Sequence, residues 1–307
     1  VTLALLCSGQ GLQAPDLFAL TADAPAAAPI FAAAAEHLGR DLRRLVAEVD
    51  PDVLYANRTG QILCVTAALA LAACLADILP RRRVVAGYSV GEMAAWGIAG
   101  IWTPVQALGL TAARAEAMDA ASRPGQGLAA IRGLSRAALD PLVARHACAV
   151  AIRNPANLFV VGGRGDALDA LCAEASERGA LRASRLAVAV ASHTPLLEPA
   201  VLPFRARLDA VPVRRPTAGL TLLNGTDGAP IFDGAGFRGV LARQVATFVD
   251  WAACLDAVVE RGAERVLELG PGHALADMMR ARAPHLTVRS ADAFHTLAGL
   301  RAWIAEA

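Results

Sequence analysis

The chain has no lysine, and all 29 of its basic residues are arginine. That excludes a lysine Schiff base and a Walker-type phosphate loop. It also lacks an excess of either charge. A net charge of +1 gives no general pull toward nucleic acid or an anionic membrane. The six cysteines (Cys7, Cys64, Cys74, Cys148, Cys172, Cys254) form no C-x-x-C pair, and no His/Cys cluster has ligand spacing, so no metal site is expected. Most of these cysteines sit in apolar stretches, as small buried hydrophobes of a reducing compartment do. The uncharged, Ala- and Leu-rich run at residues 61–76 falls short of the roughly 20 apolar residues that span a bilayer and reads as a buried helix. No positive segment precedes the first apolar run, and Ser8-Gly9-Gln10-Gly11 interrupts it. The expectation is a soluble, cytoplasmic protein without a signal peptide.

Among what is present, Val84-Val85-Ala86-Gly87-Tyr88-Ser89-Val90-Gly91-Glu92 says most about function. An apolar run ends in Gly-x-Ser-x-Gly, and a helix-like pattern follows at once. Strand, sharp turn, helix is the setting that presents a serine as a nucleophile. A helix N-terminus beside that serine favours developing negative charge.

With 307 residues the chain can bury a large core, alone or beside a smaller domain. Residues 2–7 read as a buried strand and 83–87 as a second one. Alanine-rich helical segments fill residues 28–78, with breaks near Asp50-Pro51 and Asn57, and helical periodicity runs from Val90 through Met118 with a break at 100–104. Past Ser122-Arg123-Pro124-Gly125 the pattern becomes strand 127–132, helix 135–146, strands 148–153 and 158–163, helix 166–178 and strand 184–190. That β-α-β-β-α-β order is ferredoxin-like and places an inserted subdomain at residues 124–190. A helix at 195–210, a strand at 219–223, a helix around Trp251 and a strand at 265–269 return to the large domain, 1–123 plus 191–307. The fold class is α/β, with a mostly parallel sheet covered on both faces.

A nucleophilic serine needs a base. His193, in Ala191-Ser192-His193-Thr194-Pro195, lies where a strand gives way to a helix start, the end at which α/β sheets carry their sites. The bland alternative is a helix-capping segment with an incidental histidine. His273, after Gly270-Pro271-Gly272, is a weaker candidate, and His37, His146, His285 and His295 read as bystanders. Leu269-Gly270-Pro271-Gly272 lacks the third glycine and the ribose acid of a nucleotide-binding turn, so it reads as structural. Gly162-Gly163-Arg164-Gly165 reads as a turn between strand and helix.

Six motifs in order, Ser8-Gly9-Gln10-Gly11, Gly87-Tyr88-Ser89-Val90-Gly91-Glu92, Arg114, Ser192-His193, Arg243-Gln244 and Glu268-Leu269-Gly270-Pro271-Gly272, resemble the malonyl-CoA:acyl-carrier-protein transacylases over about residues 3–285. The resemblance implies an α/β-hydrolase-like large domain with an inserted ferredoxin-like subdomain. It implies Ser89 as nucleophile and His193 as general base and then acid. It gives the histidine-orienting role to a backbone carbonyl near Gln244, in place of a triad acid. Backbone N–H groups of Gln10 and Val90 would form the oxyanion hole. Arg114 matches the arginine that holds the malonyl carboxylate, a task suited to two parallel guanidinium hydrogen bonds, and Gln10 and Gln61 join it in the substrate pocket. Without the match, one arginine among 29 on a helix would read as solvated. No bound cofactor is implied; malonyl-CoA is the substrate, and the carrier partner bears a phosphopantetheine-type group.

The chain departs from that family in having Tyr88 where most members have histidine, and Cys7-Ser8 in place of Phe-Pro. The Gly-Tyr-Ser-Val-Gly-Glu form, followed by Ala94-Ala95-Trp96-Gly97, resembles the transacylase (epsilon) subunit of bacterial malonate decarboxylase. The leading expectation is therefore loading of that system's carrier subunit, with other decarboxylase subunits as partners. The alternative within the class is a transacylase of fatty-acid or polyketide synthesis. From other classes stand a serine esterase or thioesterase, and a non-catalytic carrier-binding module, which retention of Ser89 and His193 disfavours.

Overall fold

The computed structural model describes residues 2–306. In chain order its strands are β1 (Leu3–Cys7), β2 (Arg83–Gly87), β3 (Gln126–Arg132), β4 (Ala149–Asn154), β5 (Leu158–Arg164), β6 (Arg182–Arg185), β7 (Leu220–Leu223), β8 (Pro230–Ile231), β9 (Val249–Asp250), β10 (Arg265–Leu269) and β11 (Thr287–Ser290). They form a six-stranded sheet of order β11-β10-β1-β2-β7-β8 and a five-stranded sheet of order β6-β3-β5-β4-β9. The fold is mixed α/β.

The larger sheet is parallel except for β8. Its strands are apolar on both sides because both faces are covered. Leu3, Leu5 and Cys7 of β1 point into one core, with Val85 of β2 and Leu267 and Leu269 of β10. Ala4, Leu6, Val84, Ala86 and Val266 point into the other. Helix Asn57–Leu75 fills the first core. Its length and composition would suit a membrane span, yet 83% of its apolar window is buried inside the fold, so its apolarity is accounted for by packing. Helix Pro104–Ala121 is started by a capping box, Thr103 with Gln106, and by Pro104 in its first turn.

The smaller sheet pairs β3 antiparallel to β5 and β6, and β5 antiparallel to β4. Alternation sends Ala129, Ile131, Phe159 and Val161 toward helices Arg136–Arg145 and Gly165–Glu177. Leu128 and Val160 face the larger sheet's second core. An irregularity between Val150 and Ile152 lets Ala151 and Ile152 both join that core.

Three sequence expectations change. The strand expected at 184–190 stops at Arg185; after Leu186 N–H bonds the Leu128 carbonyl at 2.9 Å, the chain leaves the ladder and runs toward His193. Gly162 and Gly163 lie inside β5, not in a turn. A Cβ on Gly162 would sit 2.6 Å from Thr194 Cγ2, so glycine there allows close packing against the histidine segment. Strand β9 joins the smaller sheet, parallel to β4, although it lies well beyond residue 190. Helix Gly234–Gln244, whose last residue reaches the site, also went unread in the sequence.

Candidate active site

Two of the elements that build the site, β1 and β2, end at one edge of the parallel sheet. β1 and β2 run side by side, with Cys7 opposite Gly87, so the loops after them are neighbours. Ser89 has φ 54°, the left-handed region, which costs a residue with a Cβ about 1–2 kcal/mol. Both flanking glycines are forced by contact. A Cβ on Gly87 would lie 2.1 Å from the Glu92 nitrogen, and one on Gly91 would lie 2.1 Å from the Cys7 oxygen. Helix Gly91–Ile98 begins immediately, with Val90 as its N-cap.

His193 Nε2 lies 2.8 Å from Ser89 Oγ. Its Nδ1 lies 2.7 Å from the Gln244 carbonyl oxygen. A carbonyl can only accept, so Nδ1 carries the proton and Nε2 is free to accept from the serine hydroxyl. The histidine backbone is held as well: φ is 62°, and its N–H donates to the Val245 carbonyl at 2.7 Å. Burial and then the Arg114 charge push the imidazole down to about 3, against the Gln244 carbonyl, so the ring is neutral around pH 7.

Arg114 is 1% exposed, on helix Pro104–Ala121. One guanidinium nitrogen donates to Gln61 Oε1 at 2.7 Å, while Nε and Nη2 have no protein partner. Gln61 is in turn fixed by Asn57 Oδ1 at 2.7 Å, and Asn57 donates to Asp119 at 2.9 Å. Burial pushes Arg114 down to about 10, partly offset by Glu92, so it stays a cation at neutral pH. A buried cation with two unpaired donor nitrogens is a demanding arrangement unless an anion shares the space.

The Gly9–Gln10 loop reaches Ser89 from the other side. A Cβ on Gly9 would stand 3.8 Å from Ser89 Cβ. Gln10 lines the cavity, and its buried side-chain oxygen has no partner. The loop is tied back by Ser8, which donates to Glu268 at 2.8 Å, while the other Glu268 oxygen accepts the Ala276 N–H at 2.8 Å. Among the described residues the Val90 N–H bonds no backbone carbonyl, whereas Gly91, Glu92 and Met93 donate to Tyr88, Ser89 and Val90.

Ser89, His193, Arg114, Gln10 and Gln61 thus line one cavity, which Leu128, Ile152, Val160 and Val188 close on the far side. Tyr88 stands at its edge, edge-on to Trp251 at 5.2 Å between ring centroids, and its hydroxyl accepts from Asn154 of β4 at 3.3 Å. Val90 and Gln244 meet the site through the backbone and through His193. His273 is elsewhere, paired with Asp277 on an exposed helix start. All six cysteines are free. Among the described residues no group of three or more His, Cys, Asp or Glu could hold a metal. Sequence reasoning missed Asn57, Asp119 and Asn154, and gave Glu92 no role; the one signal for Glu92 was an acid opening an otherwise apolar helix.

A serine paired with a neutral histidine, beside a buried cation in one cavity, suits transfer of an acyl group bearing a negative charge. The comparisons agree with the class. Residues 5–228 match the model of the acyl transferase domain, and the chain belongs to that family; it is an acyltransferase. Within the family it is similar to the malonyl CoA-acyl carrier protein transacylase of Mycobacterium tuberculosis (strain H37Rv), 30% identical over 282 residues, covering 91% of this chain and 92% of the relative. The Escherichia coli (strain K12) transacylase of the same name is 28% identical over 292 residues, covering 92% and 94%. Among solved structures, the Mycobacterium tuberculosis MCAT superposes with TM-score 0.90 at 30% identity, over 99% of this chain and all of that one (100%). A malonyl-transacylase solved with a type II PKS acyl-carrier protein gives TM-score 0.87 at 26% identity, over 94% and 96%.

Proposed function

We propose that the chain transfers malonyl from malonyl-CoA to the phosphopantetheine thiol of an acyl carrier protein of fatty-acid or polyketide synthesis. The observation that carries this reading is the Arg114 guanidinium, buried with two free donor nitrogens in the cavity of the Ser89–His193 pair. It fits the free carboxylate of malonyl and leaves the thioester carbon for Ser89. The relatives named above support the carrier and the thioester. They favour this role over the malonate-decarboxylase role expected from the sequence, which rests on Tyr88 and residues 94–97 alone.

In the first half-reaction Ser89 Oγ bonds the thioester carbon while its proton passes to His193 Nε2. The tetrahedral oxyanion faces the N–H groups of Val90 and Gln10. Collapse breaks the C–S bond, and the CoA sulfur leaves with the proton from His193. In the second, the carrier thiol gives its proton to His193 and attacks the malonyl ester, and collapse returns the proton to Ser89. The Gln244 carbonyl holds the Nδ1–H throughout and steadies the imidazolium. Malonyl binding would neutralise Arg114, removing one cause of the low histidine basicity just when a base is needed.

The same reading assigns residues 124–190 as a ferredoxin-like insertion in an α/β-hydrolase-like core of 1–123 and 191–307. The antiparallel order β6-β3-β5-β4 and the nucleophile turn support it. A reducing, cytoplasmic setting accords with six free cysteines. To test the proposal, the protein is mixed with malonyl-CoA and digested for mass spectrometry, then given a carrier protein. A malonyl ester on Ser89 that moves to the carrier is expected. Release as free malonate at the same rate without a carrier would make it a thioesterase, and no adduct would defeat the reading.

A further inference from the structure

Glu92 stands three residues after the nucleophile, 1% exposed, and the transfer just derived uses no carboxylate. Both of its oxygens are nevertheless taken by donors. Oε1 accepts the Trp96 indole N–H at 3.4 Å; Oε2 accepts the Gly225 N–H at 3.1 Å and the Gln244 side-chain amide in a shorter contact. The three donors come from its own helix, from the loop after β7 and from the end of helix Gly234–Gln244. The loop can come this close only as glycine: a Cβ on Gly225 would fall 2.4 Å from the Gly87 oxygen and 2.8 Å from Glu92 Oε2. The Gln244 side-chain oxygen has no partner, so the amide–carboxylate bond is what holds that side chain. One residue's main chain therefore joins two grips, because the Gln244 carbonyl is also the acceptor for His193 Nδ1–H.

Resting on the Ser89–His193 reading above, we propose that Glu92 is a positioning residue for acyl transfer. It grips Gln244 and thereby sets the carbonyl that fixes the tautomer and aim of His193. A buried carboxyl is costly to keep and is a poor device for stability alone. Here it locks together the nucleophile helix and the histidine-orienting segment, two parts of the chain whose relative placement decides the Ser89–His193 distance. An arrangement of this kind replaces a triad acid at one remove: the carboxylate never touches the imidazole, but the carbonyl that does is in its hold. Glu92 faces Arg114 and Cys254 as well, and burial pushes it up to about 7 against its three donors and the Arg114 charge.

The test is a cycle of Glu92→Gln, Gln244→Ala and the double variant in the full chain, measuring kcat and KM for malonyl-CoA with a carrier protein. Gln244→Ala removes only the side chain and leaves the carbonyl. Each single variant should lower kcat by about 10- to 100-fold, since small misplacements of reacting groups cost that much. KM should stay within about twofold, because the substrate's own contacts remain. The double variant should be no slower than the poorer single one, as expected of residues acting in series. Near-normal kcat in either single variant, or losses that multiply, would overturn the proposal. If Glu92→Gln does not fold, Gln244→Ala alone decides: a lowered kcat at unchanged KM supports the proposal, and an unchanged kcat defeats it. A wild-type protein that never forms the Ser89 ester would instead defeat the reading of the site itself.

Discussion

The larger, mostly parallel sheet delivers Ser89 from the end of β2 and Gln10 from the loop after β1, whereas the smaller, mostly antiparallel sheet delivers Leu128, Ile152 and Val160 and no titratable group. Parallel strands all end at one edge, where loops, helix N-termini and free amides gather, so polar chemistry collects there. The smaller sheet instead meets the cavity with the middle of its strands, and alternation turns apolar Leu128 and Val160 toward it. One sheet supplies reactivity; the other supplies shape and dryness. A dry wall matters because it strengthens every charge interaction on the opposite side. It is also one reason His193 is neutral.

Breaking the polar side should cost most. Arg114→Ala should lower malonyl transfer by about 10- to 100-fold, the worth of charge-assisted hydrogen bonds to a buried carboxylate. Acetyl transfer should fall little, and parallel kinetics with malonyl-CoA and acetyl-CoA check this; equal losses would remove the carboxylate-holding role. A second break acts through pH. The unfolded chain protonates His193 below about 6.5, while the folded chain does not until about 3, so folding stability drains away as pH falls between those values. His193→Asn removes that drain. Denaturant melts between about pH 7 and pH 4.5 should show the variant losing less stability than the parent. The smallest effect on malonyl chemistry belongs to the apolar wall. Leu128→Ala should change the malonyl rate by less than about threefold while costing about 2–5 kcal/mol of stability, and should admit larger acyl groups. A collapse in malonyl rate at preserved fold would mean that the wall does more than shape the cavity.

Much of the reactive side was readable because it is local. Gly87 through Glu92 carry strand, turn and helix in one stretch, and the backbone geometry of that turn forces the glycines that make it visible. His193 was readable from its place after an apolar run and before Pro195. Arg114 was not: nothing local separates a buried arginine from 28 others, and only the order of motifs singled it out. The grip of Glu92 on Gln244 spans 152 residues and leaves no periodic trace. Strand β9, two residues long, acquires its identity only from pairing with β4. Gly162 and Gly163 misled because glycine pairs usually mark turns, whereas here Gly162 makes room for Thr194 on one face of the strand and Gly163 for Cys148 on the other.

Ser89 and His193, whose side chains meet at 2.8 Å, are both held with left-handed backbones, at φ 54° and φ 62°, although 104 residues separate them in the chain. Glycine would sit more comfortably at either place and would carry no chemistry. The enzyme therefore keeps its aim by spending conformational comfort at its two most valuable positions, and a search for sturdier variants that ranked substitutions by stability alone would erode the active site first.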